Sequence, residues 1–175
     1  DVTRQIGGVA MIYIGIDPGL DGAMAFLNDQ SGVLTIVDMP TFEITRGGSK
    51  KREIDVYKLC DELRYIETDK RVMLEHSQAY KGEGASSSHR NGVNWGVVYG
   101  SLIAMKFPIA IVTAAVWKRA MKASSDKDLS RRLACEAFPN YTNQFGRKKD
   151  HNRAEAALLA LYAKHVLTGL LPSRA

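Results

Sequence analysis

The segment Ile12-Tyr13-Ile14-Gly15-Ile16-Asp17-Pro18-Gly19 carries the strongest structural signal in this chain. Its apolar run is typical of a buried strand, and the Pro-Gly pair is typical of the turn that ends such a strand. A second apolar run, Ala23-Met24-Ala25-Phe26-Leu27, follows soon after the turn. The pattern therefore predicts a buried strand that carries the Asp17 carboxylate at its rim.

Two further acidic residues repeat this arrangement. Glu75 follows the apolar run Val72-Met73-Leu74, and Glu155 lies within the last predicted helix. Neighbouring strands lie about 4.8 Å apart, so Asp17 and Glu75 would be close if their strands are adjacent. Two buried carboxylates that close repel each other, so one must bind a proton or both must hold a cation. Because oxygen-rich sites suit magnesium or manganese, the three carboxylates predict one metal site.

A fourth ligand is predicted at the start of the same helix. His151 lies four residues before Glu155, which places it about 40° away around the helix axis. Asn152 is about 60° away and Asp150 about 140° away, so His151 is the better ligand by helix angle. Helix starts fray, however, so Asp150 and Asn152 remain alternatives.

The composition indicates one globular domain. The chain has 175 residues, of which 45% are hydrophobic and 25% are charged, an ordinary balance for a protein with its own core. We assign residues 11–175 to this domain and interpret residues 1–10 as a leader or a cloning remnant. The net charge of +5 favours an anionic partner. Cys60 and Cys135 have no Cys or His at ligand spacing, so neither a disulfide nor a zinc site is predicted. No apolar run approaches the roughly 18 residues of a membrane span, so no membrane partner is expected.

The predicted elements begin with strands and continue as an α/β alternation. Three β candidates, about Ile12–Asp17, Gly22–Asn28 and Val33–Met39, are predicted to form a meander. The polar segment from Glu43 to Arg52 is interpreted either as a mobile loop near a ligand or as a plain solvated connection. The later elements are a helix capped by Asp55, a strand Arg71–Glu75, a helix from about Ser88 to Met105, a strand Ile109–Val112, a helix from Thr113 through Met121, a helix opened by Ser125-Asp126-Lys127-Asp128 and a last helix from near Asp150 to before Gly169.

A stripe of glycines marks the helix predicted from Ser88. Gly92, Gly96 and Gly100 recur four residues apart, and each costs roughly 1 kcal/mol relative to alanine in a helix. Such a cost indicates the close approach of another backbone. The candidates are the sheet beneath the helix or the same helix in a second subunit.

Three of these segments together resemble a known family. Ile14-Gly15-Ile16-Asp17-Pro18-Gly19, then Glu75, then Arg153-Ala154-Glu155-Ala156 opening an apolar helix are similar to the RuvC-type Holliday-junction resolvases of the ribonuclease H-like superfamily, and most to their phage or organelle branch. The similarity covers Met11 to about Thr168. It implies an α/β fold in which a five-stranded mixed sheet, an antiparallel three-strand meander plus two parallel strands, is flanked by helices. Glu155 stands where many relatives have aspartate, and Asn152 where many have Asp or His.

The resemblance also implies an activity. Such proteins are magnesium-dependent endonucleases that cut four-way DNA junctions during recombination and repair. Asp17, Glu75, His151 and Glu155 would hold two Mg²⁺ or Mn²⁺ ions about 3.5–4 Å apart. Lys118 and Lys127 match the positions of active-site lysines in the family. A homodimer is implied too, formed through the helix that carries the glycine stripe. The implied location is the cytoplasm or nucleoid of a bacterial or phage-infected cell, or an organelle of a eukaryote.

Basic residues are expected to bind the DNA phosphates with little regard to sequence. The segment from Glu75 to Ser87 resembles the junction-binding loop of the family, and within it Tyr80 is predicted to stack on an unpaired base. Ser86, Ser87 and Ser88 at a helix start would add backbone N–H groups. The basic groups are Arg46 with Lys50-Lys51-Arg52, Lys81 with His89-Arg90, and Arg147-Lys148-Lys149.

Two alternatives remain. Gly15-Ile16-Asp17-Pro18-Gly19 also resembles the phosphate-binding turn of actin-like phosphotransferases, but those proteins need two such lobes and this chain has room for one. A catalytically silent protein that binds branched DNA would keep the scaffold and the basic surface. Such a binder has no need to bury clustered carboxylates, each of which costs several kcal/mol.

Overall fold

The computed structural model describes residues 10–77 and 82–169. Over these residues the chain forms seven strands and five α-helices, with short 3-10 turns before the last helix. In chain order they are β1 (Met11–Asp17), β2 (Ala23–Asn28), β3 (Leu34–Asp38), β4 (Thr41–Arg46), β5 (Ser49–Ile54), α1 (Val56–Arg64), β6 (Asp69–His76), α2 (Ala85–Ala104), β7 (Ile109–Thr113), α3 (Ala114–Ala120), α4 (Lys127–Ala137) and α5 (His151–Leu167). The leader predicted at residues 1–10 lies outside the described residues apart from Ala10, and it stays a prediction.

Five strands form one mixed sheet in the order β3-β2-β1-β6-β7. β1 pairs antiparallel with β2, and β2 pairs antiparallel with β3, which is the predicted meander. β6 joins the other side of β1 in parallel, and β7 pairs in parallel with β6. The mixed five-stranded sheet that the sequence and its resemblance predicted is therefore confirmed.

Helices cover both faces of this sheet. On one face, Tyr13 and Met73 pack in a core that includes buried residues of α3, α4 and α5. On the other face, Ile14 and Leu74 pack with buried residues of α1 and α2. β1 lies in the middle of the sheet and is covered on both sides, which explains why its sequence is a continuous apolar run rather than an alternating pattern.

Helix α5 packs directly on the backbone of β1. A Cβ atom added at Gly15 would lie 2.9 Å from the carbonyl carbon of Leu159, and closer still to the Ala156 oxygen and the Ala160 nitrogen. Only glycine permits this approach, because every other residue would place a carbon atom inside the helix backbone. The contact brings the first turns of α5 to the end of β1 that carries Asp17.

The segment from Glu43 to Arg52 is a β-hairpin, so its prediction as a loop or connection is wrong. β4 and β5 pair antiparallel in a separate two-stranded sheet. Gly47 and Gly48 have φ angles of 61° and 75° at the turn between them, as a tight hairpin turn requires. The hairpin is mostly exposed. It therefore lacks the apolar alternation by which strands are recognised in a sequence, and only the Gly-Gly pair marked it.

Two helix starts differ from their predictions. α4 is capped by Asp126 rather than Ser125, because the Asp126 carboxylate accepts a 2.9 Å hydrogen bond from the Asp128 N–H. α2 begins at Ala85 after Gly84, three residues before the predicted start at Ser88. The predicted cap of α1 is confirmed, since the Asp55 carboxylate accepts a hydrogen bond from the Lys58 N–H at 3.1 Å.

The glycine stripe of α2 does not pack on the sheet. No described atom beyond the helix backbone lies within 4 Å of a Cβ built at Gly92, Gly96 or Gly100, and all three residues are exposed. Of the two candidate contacts for these glycines, the one with the sheet is therefore wrong. α2 packs on the core through Asn94, Val98 and Leu102, which lie on a different side of the helix. Among the described helices, none combines the length and apolar character required to cross a membrane.

Candidate active site

Asp17 and Glu75 lie side by side at one edge of the sheet. β1 and β6 run in parallel, with Ile16 opposite Leu74. The next residue on β1 is Asp17 and the next on β6 is Glu75, so these two residues are neighbours. Burial raises the pKa of Asp17 above its ordinary value. Burial, together with the negative charge of Asp17, raises the pKa of Glu75 to about 7. The pair therefore has the mutual repulsion that a proton or a cation would relieve.

The Asp17 carboxylate sits on a tight turn. Its Oδ1 accepts a hydrogen bond from the Gly19 N–H at 3.2 Å, and the Gly22 N–H donates to the Gly19 carbonyl at 2.9 Å. A Cβ at Gly22 would lie 2.8 Å from the Gly19 oxygen and closer still to the Asp17 carbonyl oxygen. Gly22 is thus required to close the turn that holds Asp17. The sequence analysis placed Gly22 only at the start of a strand and did not identify this role.

Glu155 joins the two strand carboxylates from the first turns of α5. Its Oε1 accepts hydrogen bonds from Lys118 Nζ at 2.8 Å and from the Ser130 hydroxyl at 3.2 Å. The Lys118 and Glu155 side chains are 18% and 12% exposed, so this ion pair is largely shielded from water. Charges on Glu155 and Lys118 both influence the pKa of Asp17, which places all of these groups in one cluster.

Glu75 is held by the N–H groups of both tryptophans in the chain. Trp117 Nε1 donates to Glu75 Oε2 at 2.6 Å, and Trp95 Nε1 donates to the Glu75 backbone carbonyl at 3.0 Å. Trp117 is completely buried, whereas Trp95 is partly buried.

Each of the three carboxylates has one oxygen anchored by protein donors. The anchored atoms are Oδ1 of Asp17, Oε2 of Glu75 and Oε1 of Glu155. Within the described residues, the second oxygen of each carboxylate accepts no hydrogen bond from the protein. The cluster therefore presents one uncommitted carboxylate oxygen from each of three elements.

The three predicted candidates for the fourth ligand have different surroundings. His151 Nδ1 lies 3.2 Å from the Lys148 carbonyl. A carbonyl only accepts hydrogen bonds, so Nδ1 is the donor in this contact and Nε2 is the ring nitrogen that could bind a cation. Asp150 is buried, and both of its oxygens bind Arg147. The Asn152 side-chain amide donates to the Asp21 carbonyl. Asp150 is therefore committed elsewhere, while His151 lies close enough to Asp17 for its charge to lower the pKa of that carboxyl.

The three carboxylates fit a hard divalent cation by their chemistry, because oxygen atoms are the ligands that such ions prefer, whereas the imidazole nitrogen of His151 is a softer ligand. The side chains do not form a closed coordination shell. In residues 10–77 and 82–169, no group of three or more His, Cys, Asp or Glu side chains is arranged to hold a metal ion. The structure thus supplies suitable donors on three elements, and an ion would have to draw them together.

Comparison with known proteins supports the fold. No protein-family profile and no curated protein sequence matches the chain. Solved structures do match: T. thermophilus RuvC in complex with a Holliday-junction substrate has a TM-score of 0.56 at 14% identity, over 91% of this chain and 96% of that chain. A second T. thermophilus RuvC structure has a TM-score of 0.52 at 16% identity, over 91% and 97% of the two chains. The chain has the RuvC fold.

Beside the carboxylates of this RuvC-like fold runs a broad cleft. Its lining includes Asp17 and His151 together with basic side chains from both rims. The lysines and arginines that line it are Arg46, Lys50, Lys51, Arg52, Arg90, Lys127, Arg147, Lys149 and Arg153. Lys148 lies on the neighbouring 3-10 turn, and Ser87 lies in the first turn of α2. Tyr80 and Lys81, two of the predicted DNA contacts, lie outside the described residues.

The two predicted active-site lysines occupy different places in the RuvC-like fold. Lys118 binds Glu155 inside the cluster. Lys127 is exposed at the start of α4 and lines the cleft. One turn further along α4, Ser130 is completely buried and donates to Glu155. Ser130, Trp95 and Trp117 were not predicted as site residues, since a serine or a tryptophan on a predicted helix carries no signal of the distant residue that it binds.

Proposed function

We propose that this chain is a structure-selective DNA endonuclease that resolves four-way junctions by metal-dependent hydrolysis of phosphodiester bonds. The observation that carries the proposal is the gathering of Asp17, Glu75 and Glu155, from three elements of a RuvC fold, beside a cleft lined with lysine and arginine. The matching RuvC structure in complex with a Holliday junction supports the same substrate class. Membership of the phage or organelle branch, and the cellular location that goes with it, stay predictions.

Some of the predicted site residues would bind the metal ions, and others would contact the phosphate. Asp17, Glu75, His151 and Glu155 would hold Mg²⁺ or Mn²⁺, in the two-ion arrangement that the resemblance implies. When bound, the ions supply an activated water and offset the charge on the phosphate. Lys118 pairs with Glu155 and holds one oxygen of its carboxylate. Lys127 lines the cleft, and its proposed role is to contact a phosphate of the substrate.

The cleft would bind DNA through phosphate contacts. Arg90, Arg147 and Lys149 line the same cleft as Asp17, and we propose that Lys81, Lys148, Ser87 and Tyr80 add to the same surface. Neutralisation of phosphates by lysine and arginine makes affinity fall steeply with salt. Lys149→Ala should lower the slope of log affinity against log salt by about one unit. Lys58→Ala, which removes an exposed lysine on α1, is the matched control, and equal slopes for the two variants would contradict this surface.

A homodimer is part of the proposal. A four-way junction has near two-fold symmetry and paired cuts require two active sites, so a two-fold dimer is the simplest assembly that fits. The exposed glycine face of α2 supports it, because that face has no partner among the described residues of its own chain.

One observation favours the catalytically silent alternative. The cluster has no closed coordination shell within the described ranges, and a branched-DNA-binding protein would not need one. Both candidates share the cleft and its basic lining. They differ only in what a divalent cation does.

The deciding experiment incubates the protein with labelled four-way, three-way and linear duplex DNA, in Mg²⁺, in Mn²⁺ and in EDTA. The parent should cut the four-way junction in the presence of metal and leave it intact in EDTA. Asp17→Asn should bind the junction with parental affinity and lose cleavage, because the amide cannot supply an anionic ligand.

Asp61→Asn is the matched control, since it removes an exposed carboxylate of α1 away from the cluster. It should cut like the parent. Equal nicking by Asp17→Asn and the parent would refute the proposed mechanism. Junction binding without metal-dependent cutting by the parent would identify the silent binder.

A further inference from the structure

The completely buried Trp117 uses its single hydrogen-bond donor on Glu75. Its ring is among the largest fully buried side chains and packs in the core between the sheet and α5. Tight packing on all sides fixes the direction of the indole N–H. That N–H donates to Glu75 Oε2 at 2.6 Å, so the position of one carboxylate oxygen is tied to the core of the protein.

Trp95 holds the same residue from α2, on the other face of the sheet. Its N–H donates to the Glu75 carbonyl at 3.0 Å. The Trp95 ring stacks on Tyr99 with centroids 4.8 Å apart and meets His76 edge-on at 5.3 Å. These aromatic contacts orient the indole. The side chain and the backbone of Glu75 are thus held from opposite faces of the sheet.

The short helix α3 links this arrangement to the second carboxylate of the cluster. Lys118 follows Trp117 directly and binds Glu155 at 2.8 Å, with its ammonium 5.4 Å from the centre of the Trp117 ring. Two consecutive residues therefore bind carboxylates on β6 and α5. The position of α3 sets where one oxygen of each carboxylate lies.

The two donors, Lys118 Nζ and the Trp117 N–H, differ in charge. Lys118 pairs with Glu155 as a cation, whereas the Trp117 N–H is a neutral donor and brings no positive charge to Glu75. A neutral donor orients a carboxylate and favours its ionised form without competing electrostatically with a cation. The oxygen of Glu75 that Trp117 does not bind accepts no hydrogen bond within the described residues.

We propose that Trp117 is a positioning residue, which holds one oxygen of Glu75 so that the other is presented to a divalent cation, and that Trp95 fixes the backbone of the same residue. This inference rests on the proposed function for its catalytic consequence. Its direct consequence is for cation affinity. Donors that orient a ligand typically contribute 10–100-fold to metal affinity.

The test measures the affinity of the DNA-free protein for Mn²⁺. The electron paramagnetic resonance signal gives the concentration of unbound Mn²⁺. Only the binding that Asp17→Asn abolishes is compared between variants. Trp117→Phe retains most of the buried ring and removes the N–H. Its Mn²⁺ affinity should fall by about 10–100-fold. Phe145→Leu is the matched control, because Phe145 is completely buried in the same core and its side chain has no hydrogen-bond donor. It should lose comparable thermal stability and keep parental affinity.

Trp95→Phe is a second variant, which remains informative if Trp117→Phe does not fold. The chain has two tryptophans, so Trp95→Phe leaves Trp117 as the sole indole. Titration with Mg²⁺ should change the fluorescence emission of Trp117, and the midpoint of that change should equal the midpoint of Mg²⁺ binding. Its Mn²⁺ affinity should fall several-fold. Parental affinity in Trp117→Phe, or an emission from Trp117 that ignores Mg²⁺, would overturn the inference. The parent could bind metal without cutting any junction, while Trp117→Phe loses that metal binding. This result would refute the proposed endonuclease and uphold the positioning role.

Discussion

Helices α5 and α2 both carry small residues at regular spacing, yet they use them in opposite ways. On α5, the backbone at Ala156 and Ala160 packs against Gly15 of β1 so closely that no Cβ fits between them. On α2, the space beside Gly92, Gly96 and Gly100 is open. A stripe of small residues therefore does not show by itself that a backbone approaches it. The decisive residue is the glycine on the opposing element.

This difference in packing between α5 and α2 bears on the proposed function. The close contact at Gly15 fixes α5 on the sheet and brings Glu155 to the strand carboxylates. The open face of α2 lies on the far side of the sheet from α5 and is available to a second copy of the chain. One helix organises the candidate active site, and the other is the proposed dimer contact.

The largest effect is expected from Gly15→Ala. The added Cβ would meet three backbone atoms of α5, which cannot rotate away as a side chain would. Overpacking of this kind costs typically 1–3 kcal/mol and occasionally more, and we expect a free energy of unfolding lower by about 3 kcal/mol. Urea denaturation measures it. A variant as stable as the parent would show that α5 does not press on β1.

Gly96→Ala should have the opposite sign. No described atom obstructs the added methyl group, and alanine is favoured over glycine in a helix by about 1 kcal/mol. In a dilute, monomeric sample the free energy of unfolding should rise by about that amount. The same urea experiment, run beside Gly15→Ala, gives the contrast directly, and destabilisation of the monomer would mean that α2 has a neighbour in its own chain.

Gly96→Leu tests the assembly that uses this face. The leucine has room in the single chain, so folding should be retained, but it would obstruct the close approach of a second α2. The dimer dissociation constant, measured by analytical ultracentrifugation, should rise at least tenfold, equivalent to about 1.4 kcal/mol. Lys58→Leu, which adds a leucine at an exposed position of α1 outside the glycine face, is the control for surface hydrophobicity. A Gly96→Leu variant that sediments as the parental dimer would place the interface elsewhere.

The comparison also shows how far the sequence alone predicts the fold. The meander, the parallel strands and the rim position of Asp17 follow from apolar runs and Pro-Gly or Gly-containing turns, because these signals are local. Gly15 lies inside the most informative segment of the chain, but its role depends on a helix some 140 residues away. No local pattern carries that information.

In the candidate site, too, some residues can be predicted from the local sequence and others cannot. Asp17, Glu75 and Glu155 were predicted because each carboxylate interrupts an apolar run, which is costly unless the charge is used. The donors that hold them, Trp117 and Ser130, look like ordinary helix residues in the sequence. Only the packing of α3 and α4 against the sheet reveals what those donors bind.

The smallest effect is expected at the outer edge of α5, where Arg153 pairs with Asp38 at the end of β3. The hydrogen bonds from Arg153 hold the pKa of Asp38 below its ordinary value. A carboxyl with a lowered pKa in the folded state contributes stability above its unfolded pKa and loses it as the pH falls through the folded value. The Asp38 side chain is 60% exposed, so solvent screening limits the contribution to under about 1 kcal/mol.

Arg153→Met should therefore lower the free energy of unfolding at pH 7 and lower it less at pH 3, because protonation of Asp38 weakens the pair as the pH falls. Arg64→Met removes an exposed arginine that pairs with Asp61 within α1, and it serves as the matched control. A loss of equal size at both pH values would show that Arg153 holds α5 through the packing of its aliphatic stem. In that event the α5 contact would rest on close packing alone, and the contrast with α2 would depend entirely on Gly15.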